Sequence, residues 1–223
     1  MTRPLVVVRP EPGATRTLAA LAAVGLVARA CPFFSIVPVT WTPPPPADYD
    51  ALLLTSAQAV RHAGPALATL AALPVVAVGT ATAKVAHEAG LSVVLTGTAD
   101  AAAAIAAARL HGLSRLLHLA GRERIDSGAG VTAITVYAAE PVPLPLGTAR
   151  TFEDADVLLH SPRAARRLAE LAARDDANRD RIGVLALSAA ILQAAGPGWN
   201  CAAAAATPDD AALVALALHR LPD

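Results

Sequence analysis

The chain has 223 residues, a length that fits one large domain or two small ones. Its formal net charge is zero and its aromatic content only 3%, which excludes an electrostatic nucleic-acid binder and leaves no platforms on which bases could stack. Hydrophobic residues make up 55%, yet Gly, Pro, Thr or a charge interrupts every apolar run before it could span a bilayer.

In chain order, Leu5 to Val8 is a continuous apolar run closed by Arg9-Pro10, the pattern of a buried parallel strand. Thr15 to Ala23 has Leu18, Leu21 and Ala22 at helical spacing, with Gly25 as the stop. Phe33, Ile36, Val37 and Val39 favour an extended segment, and its two prolines keep it out of a sheet centre. Pro43 to Pro46 forms a stiff polyproline stretch, so residues 31–46 read as a crossing between lobes. Strands are then expected at Ala51–Leu54, Pro74–Val78, Leu91–Leu95 and Leu116–Leu119. Between them lie helices begun by Ser56, by Thr80 or Thr82 as the cap, and by Asp100. Gly90 ends the second of these helices. Residues 120–124 form a loop; Ile134 to Tyr137 is β-rich, and residues 140–145 make a proline-broken strand, the second crossing, antiparallel to the first. Val157 to Leu159, Gly183 to Leu187 and Cys201 to Ala206 follow as strands, the last because the alternation of elements demands one. Ser161-Pro162, Ser188 and Thr207-Pro208-Asp209-Asp210 start the intervening and final helices.

Two stretches repeat each other. Residues 53–59, Leu-Leu-Thr-Ser-Ala-Gln-Ala, are echoed by 158–164, Leu-Leu-His-Ser-Pro-Arg-Ala; the run from Val75 to Gly90 is echoed by that from Ile182 to Gly196. Each copy reads as apolar run, small hydroxyl residue and helix, twice over, which is a βαβα unit made twice. The fold class is therefore α/β: two similar three-layer lobes with parallel sheets. One is discontinuous (1–36 and 144–223) and one inserted (37–143). A two-stranded extended hinge near 31–46 and 134–145 joins them, with a ligand cleft expected between.

Cys31 and Cys201, far apart in apolar surroundings, read as reduced thiols rather than a disulfide, and no Cys/His cluster points to a metal. The first ten residues lack the apolar stretch of a secretory signal, so a soluble, cytoplasmic protein is expected.

Several motifs in this order resemble one family. They are Val8-Arg9-Pro10, Tyr49-Asp50 leading into Thr55-Ser56-Ala57-Gln58-Ala59-Val60, residues 78–83 followed by Gly90, Gly121-Arg122, Ile134-Thr135-Val136-Tyr137, Ser161-Pro162 and Thr207-Pro208. Together they are similar to uroporphyrinogen-III synthase, over nearly the whole chain. The resemblance implies a monomer without cofactor that converts hydroxymethylbilane, a linear tetrapyrrole with eight carboxylates, into uroporphyrinogen III. It further implies no membrane or nucleic-acid partner and a transient hand-over from hydroxymethylbilane synthase. It assigns a catalytic role to Tyr137, as a general acid on the leaving hydroxyl, with a strand tyrosine that simply packs at the hinge as the alternative reading.

Substrate carboxylates are expected at hydroxyl-bearing helix N-termini, Thr55-Ser56, Thr80-Ala81-Thr82, Ser161 and Ser188, where free N–H groups and the helix dipole favour an anion. Gly121-Arg122 and Arg9 complete the expected set, with Arg124 and Arg163 as further cations. For any one hydroxyl taken alone a plain cap is the simpler reading; for Arg163, Arg166 and Arg167 a solvated face is. In the second copy, Leu185-Ala186-Leu187-Ser188-Ala189 stands where the family has Gly-Pro-Thr-Thr-Ala, so a backbone approach to a carboxylate is weaker there. His160 also replaces a Thr; a lone His in such a place reads as structural, the alternative being a cleft-facing imidazolium that meets a propionate. The rival readings are a two-lobed binding module without catalysis and a relative that has lost activity. A nucleotide-binding enzyme ranks low, because the first strand is followed by no GxGxxG and the chain has no Walker lysine.

Overall fold

Short apolar runs, each closed by Gly, Pro or a small hydroxyl residue, form the strands of two sheets. The structure, a computed structural model, describes residues 3–97, 100–124 and 128–220; the outermost residues of the expected discontinuous lobe lie outside these. From the N-terminus run β1 (Leu5–Val7), α1 (Gly13–Ala23), β2 (Ala28–Ala30) and β3 (Phe34–Pro38). Next come β4 (Ala51–Leu54), α2 (Ala57–His62), β5 (Val75–Val78), α3 (Thr80–Glu88), β6 (Val93–Gly97), α4 (Ala101–Leu110), β7 (Leu116–Gly121) and β8 (Val131–Pro141). The chain ends with β9 (Asp156–Leu159), α5 (Pro162–Arg174), β10 (Gly183–Ala186), α6 (Ala189–Ala195), β11 (Cys201–Ala204) and α7 (Asp210–Leu218). Among the described residues no helix is long and apolar enough to cross a membrane.

The chain divides into two units, Met1–Ser35 with Pro141–Asp223, and Ile36–Glu140. The first holds a parallel sheet of order β11-β10-β9-β1-β2. Leu5, Val7, Leu158 and Leu185 on one face of that sheet pack against α1 and α7 through Ala14, Leu21, Leu213 and Val214; α5 and α6 pack against each other and against β9 and β10.

The second unit is built on the order β3-β8-β7-β4-β5-β6, parallel from β8 to β6. Leu52, Leu54, Val75, Ala77, Leu117 and Leu119 face α2 and α3, while Ala51, Leu53, Val76 and Leu116 face α4. Strands buried on both faces explain why β4 reads as an unbroken apolar run. Leu52, Leu53 and Leu54 are wholly buried, each worth about 1.5–3 kcal/mol of transfer free energy. The sequence repeat is visible in the topology: β4-α2-β5-α3-β6 and β9-α5-β10-α6-β11 are the same run of adjacent parallel strands.

Several elements differ from the sequence expectation. The strand expected at Leu91–Leu95 is displaced to Val93–Gly97, because Leu91 N–H donates to Ala86 O and is used in closing α3, with Gly90 at φ 79° making the turn. Ala28–Ala30 is an additional edge strand, held to β1 by the parallel ladder despite its weak β character. The β-rich segment and the proline-broken strand are one strand, β8, closed at Pro141. Val39 N–H donates to Val136 O and Val142 N–H to Phe33 O, so β3 runs antiparallel to β8, and Pro38 is tolerated because β3 is an edge.

Candidate active site

Parallel strands deliver their following loops to one edge, and ligands in open α/β sheets bind beyond that carboxyl edge. In the second unit the edge receives Thr55-Ser56 after β4, Gly79-Thr80 after β5, Arg122 after β7, and Tyr137 on β8 level with Gly121. With neighbouring strands about 4.8 Å apart, β8 and β5 lie roughly 14 Å from each other. The structure thus brings Thr55, Ser56, Thr80, Ala81, Thr82, Gly121, Arg122 and Tyr137 to one edge of one sheet.

Their local chemistry differs. Ser56 is the extended residue before α2, and its hydroxyl accepts from Gln58 N–H at 3.2 Å. Thr55 Oγ1 lies 2.9 Å from His118 Nε2, and the two share a hydrogen bond. His118 is 3% exposed. Burial, and then the Arg124 guanidinium, push its pKa down to about 4, so it is neutral at physiological pH.

The expectation that Thr80 or Thr82 caps α3 is corrected. Gly79, at φ 82°, is the residue before the helix; no side chain caps the end, and Thr82 is buried inside the first turn. Among the described residues the N–H groups of Thr80, Ala81 and Thr82 meet no acceptor, which leaves three donors on a positive helix end.

Tyr137 sits where β7 and β8 change register: Ala120 pairs with Thr135, but Gly121 pairs with Tyr137, a β-bulge. The phenol ring lies over Gly121. A Cβ there would come within 2.9 Å of ring carbons Cε2 and Cζ. The ring contacts the His62 imidazole, centroids 6.4 Å apart, and packs on the second unit's core. Among the described residues its hydroxyl has no hydrogen-bond partner. Burial, and then Arg61, lower the pKa of His62. Arg122 donates its backbone N–H to Tyr137 O at 2.9 Å, while its guanidinium pairs with Glu140.

The first unit has a corresponding edge. Ser161 accepts from Ala164 N–H at 3.1 Å, and Ser188 accepts from Ile191 N–H at 3.5 Å; both are helix caps. Ser188 therefore caps α6. Arg9 donates from Nη1 to both carboxylate oxygens of Asp210, each at 2.8 Å, and to Thr17 Oγ1 at 3.3 Å. Its guanidinium lies over Gly13, where a Cβ would fall 2.4 Å from Nε. His160, its side chain 6% exposed, places Nε2 3.3 Å from Asp210 Oδ1 without the alignment of a hydrogen bond. Burial, then Arg9, lower its pKa to about 4 against the pull of Asp210. It is a buried neutral imidazole, which agrees with the structural reading of this lone His and not with an imidazolium meeting a propionate. Arg163 stacks on the Phe34 ring at 4.3 Å.

Sequence reasoning missed His118, His62, Glu140 and Asp210. His118 carried a weak signal, a lone imidazole inside the apolar run Leu116 to Leu119. Asp210 carried none, since its partner lies 201 residues away.

Comparison with known proteins adds independent findings. A family model described as uroporphyrinogen-III synthase HemD matches residues 15–215. No curated protein matches the chain by sequence. A solved uroporphyrinogen-III synthetase from Helicobacter pylori 26695 shares the fold at TM-score 0.66 and 17% identity, over 98% of this chain and 99% of that one. A mutant uroporphyrinogen III synthase from the extremely thermophilic bacterium Thermus thermophilus aligns at TM-score 0.54 and 17% identity, over 99% of this chain and 100% of that one.

Proposed function

Because the chain belongs to the uroporphyrinogen-III synthase family, its sequence matching the family model over residues 15–215, we propose that it catalyses the dehydrative cyclisation of hydroxymethylbilane to uroporphyrinogen III. In reaction-class terms it is a cyclising carbon–oxygen lyase. The linear tetrapyrrole loses its terminal hydroxyl as water and becomes a cationic azafulvene. Attack on that carbon by the substituted position of the last pyrrole gives a spiro centre. Fragmentation and re-closure invert that ring, and a proton is lost as the macrocycle closes. In water alone the same substrate closes without inversion, so the protein must hold one near-attack geometry and keep water from the azafulvene.

The family match is the observation that carries this proposal; the second unit's sheet edge supports it. The open N–H groups of Thr80, Ala81 and Thr82 suit a carboxylate arm. Thr55 and Ser56 would add hydroxyls, and Tyr137 supplies a phenol free to donate to the departing hydroxyl. In the first unit, Ser161 and Ser188 would contribute hydroxyls at helix N-termini; Arg9 would contribute charge only by exchanging Asp210 for a substrate carboxylate. Gly121 would fix the phenol, and the Arg122 backbone holds Tyr137 O. We further propose a cytoplasmic monomer without cofactor that receives its substrate from hydroxymethylbilane synthase. Expression in a bacterium lacking its own uroporphyrinogen-III synthase tests the proposal. Restored haem synthesis is expected; porphyrins of type I alone, with the protein folded and abundant, would refute it.

A further inference from the structure

Four arginines are candidates in the sequence to bring positive charge to the substrate, Arg163 reading better as part of a solvated face. In the structure Arg9 is spent on Asp210, Arg122 on Glu140, and Arg163 stacks on Phe34. Arg124 is different. Its Nη1 donates to Gly121 O at 3.1 Å and to Thr135 Oγ1 at 2.8 Å, both uncharged acceptors. Among the described residues no carboxylate pairs with it, and its Nε and Nη2 meet no acceptor. The side chain is exposed, but it is not loose: two hydrogen bonds on one nitrogen hold the guanidinium in place and leave the opposite edge as an open fork. That edge is the one with which arginine takes a carboxylate side-on through two parallel hydrogen bonds.

The anchor points place the fork next to Tyr137. Gly121 carries the phenol ring, and Thr135 precedes Tyr137 by two residues on β8, so Arg124 spans the same β-bulge that aims the tyrosine. Neutral His118, which shares its hydrogen bond with Thr55, does not compete for an anion there.

We propose that Arg124 is a substrate-binding residue that takes one carboxylate arm of the tetrapyrrole through Nε and Nη2, beside Tyr137. The inference rests on the synthase function proposed above and assigns the binding charge at this edge to Arg124 rather than Arg122. An arm fixed there anchors the substrate at this edge, a contact made in ground state and transition state alike.

Initial rates against hydroxymethylbilane concentration, with isomer analysis of the product, test this in the wild-type protein, Arg124→Gln and Arg124→Lys. The Gln variant is expected to raise KM about tenfold with kcat little changed, the scale of one charge-assisted contact at a part-exposed site. Lys, which keeps the charge and loses the fork, recovers part of the loss. Added salt raises the wild-type KM more steeply than that of the Gln variant, because screening acts on a charge the variant lacks. A Gln variant with wild-type KM, or a Lys variant no better than Gln with the same salt dependence, overturns the assignment while the wild type still makes type III. A wild-type protein that makes only type I overturns the synthase function and this inference with it.

Discussion

At the scale of single residues, the contrast between Tyr137 and His118 is instructive. The phenol has no partner among the described residues, whereas the imidazole is buried and engaged with Thr55. Replacing Tyr137 by Phe removes one hydroxyl and leaves the ring packed over Gly121. The rate of type III formation is expected to fall by roughly 100-fold, the low end of a general-acid contribution, since the pyrrole lone pairs already drive water out. Single-turnover kinetics with the Phe variant check this; an unchanged rate would remove the phenol from the chemistry. His118 makes a prediction about pH. Its folded pKa of about 4 lies below its ordinary 6.5. The unfolded chain therefore takes up the proton first. Stability is complete above pH 6.5 and is lost as pH falls towards 4, at up to about 1.4 kcal/mol per pH unit. His160 acts in the same direction. Denaturant unfolding at pH 7 and pH 5 should show a less stable protein at pH 5, with a smaller difference in His118→Gln; an equal difference would contradict a buried neutral His118. Ser56, Ser161 and Ser188 were legible as caps because a cap is written within three residues of sequence. The pairing of Arg9 with Asp210, 201 residues apart, is written nowhere locally.

At the scale of elements, the bulge between β7 and β8 matters most. Gly121→Ala would set a Cβ 2.9 Å from the Tyr137 ring. The ring is the movable end of a side chain, so it swings aside at little structural cost. The expected outcome is a fall in activity close to that of Tyr137→Phe with almost no change in melting temperature; a large loss of stability would mean that the ring cannot yield. Gly130→Ala is expected to do the reverse. Its φ is 77°, and a Cβ would lie 2.7 Å from the Ser114 carbonyl oxygen, part of the backbone. Stability should fall by about 1–3 kcal/mol, the usual cost of a forced left-handed residue, as read by thermal unfolding. Element types and order could be read from the sequence because apolar runs and their stops are local. The boundaries that moved did so for tertiary reasons. Leu91 went to closing α3, β2 was recruited by the β1 ladder, and α3 is preceded by Gly79 instead of a threonine cap. That last error hid the most useful feature of α3, three open N–H donors.

At the scale of the molecule, the internal repeat predicted duplicated α/β architecture, and the structure has two runs of three adjacent parallel strands joined by helices, β4-β5-β6 and β9-β10-β11. What pins the first unit together was not visible. Asp156, 1% exposed, accepts from Arg3 Nε at 2.9 Å and pairs with Arg220 Nε at 3.4 Å, so one buried carboxylate binds both ends of the described chain. Asp156→Ala should destabilise this unit by about 3 kcal/mol, the low end for a broken buried ion pair because both arginines keep some contact with water. A calorimetric trace would show it, and an unchanged first-unit transition would contradict it. No local pattern links residues 3, 156 and 220, so no sequence reading could have joined them.

The central claim is the direction of ring closure, and the isomer ratio reports it most directly. Hydroxymethylbilane is generated in place from porphobilinogen by its deaminase, the purified chain is added, and the oxidised uroporphyrins are separated by chromatography. A shift from type I to type III that scales with the amount of chain added is the predicted result. Type I alone, in the presence of folded protein, would contradict it.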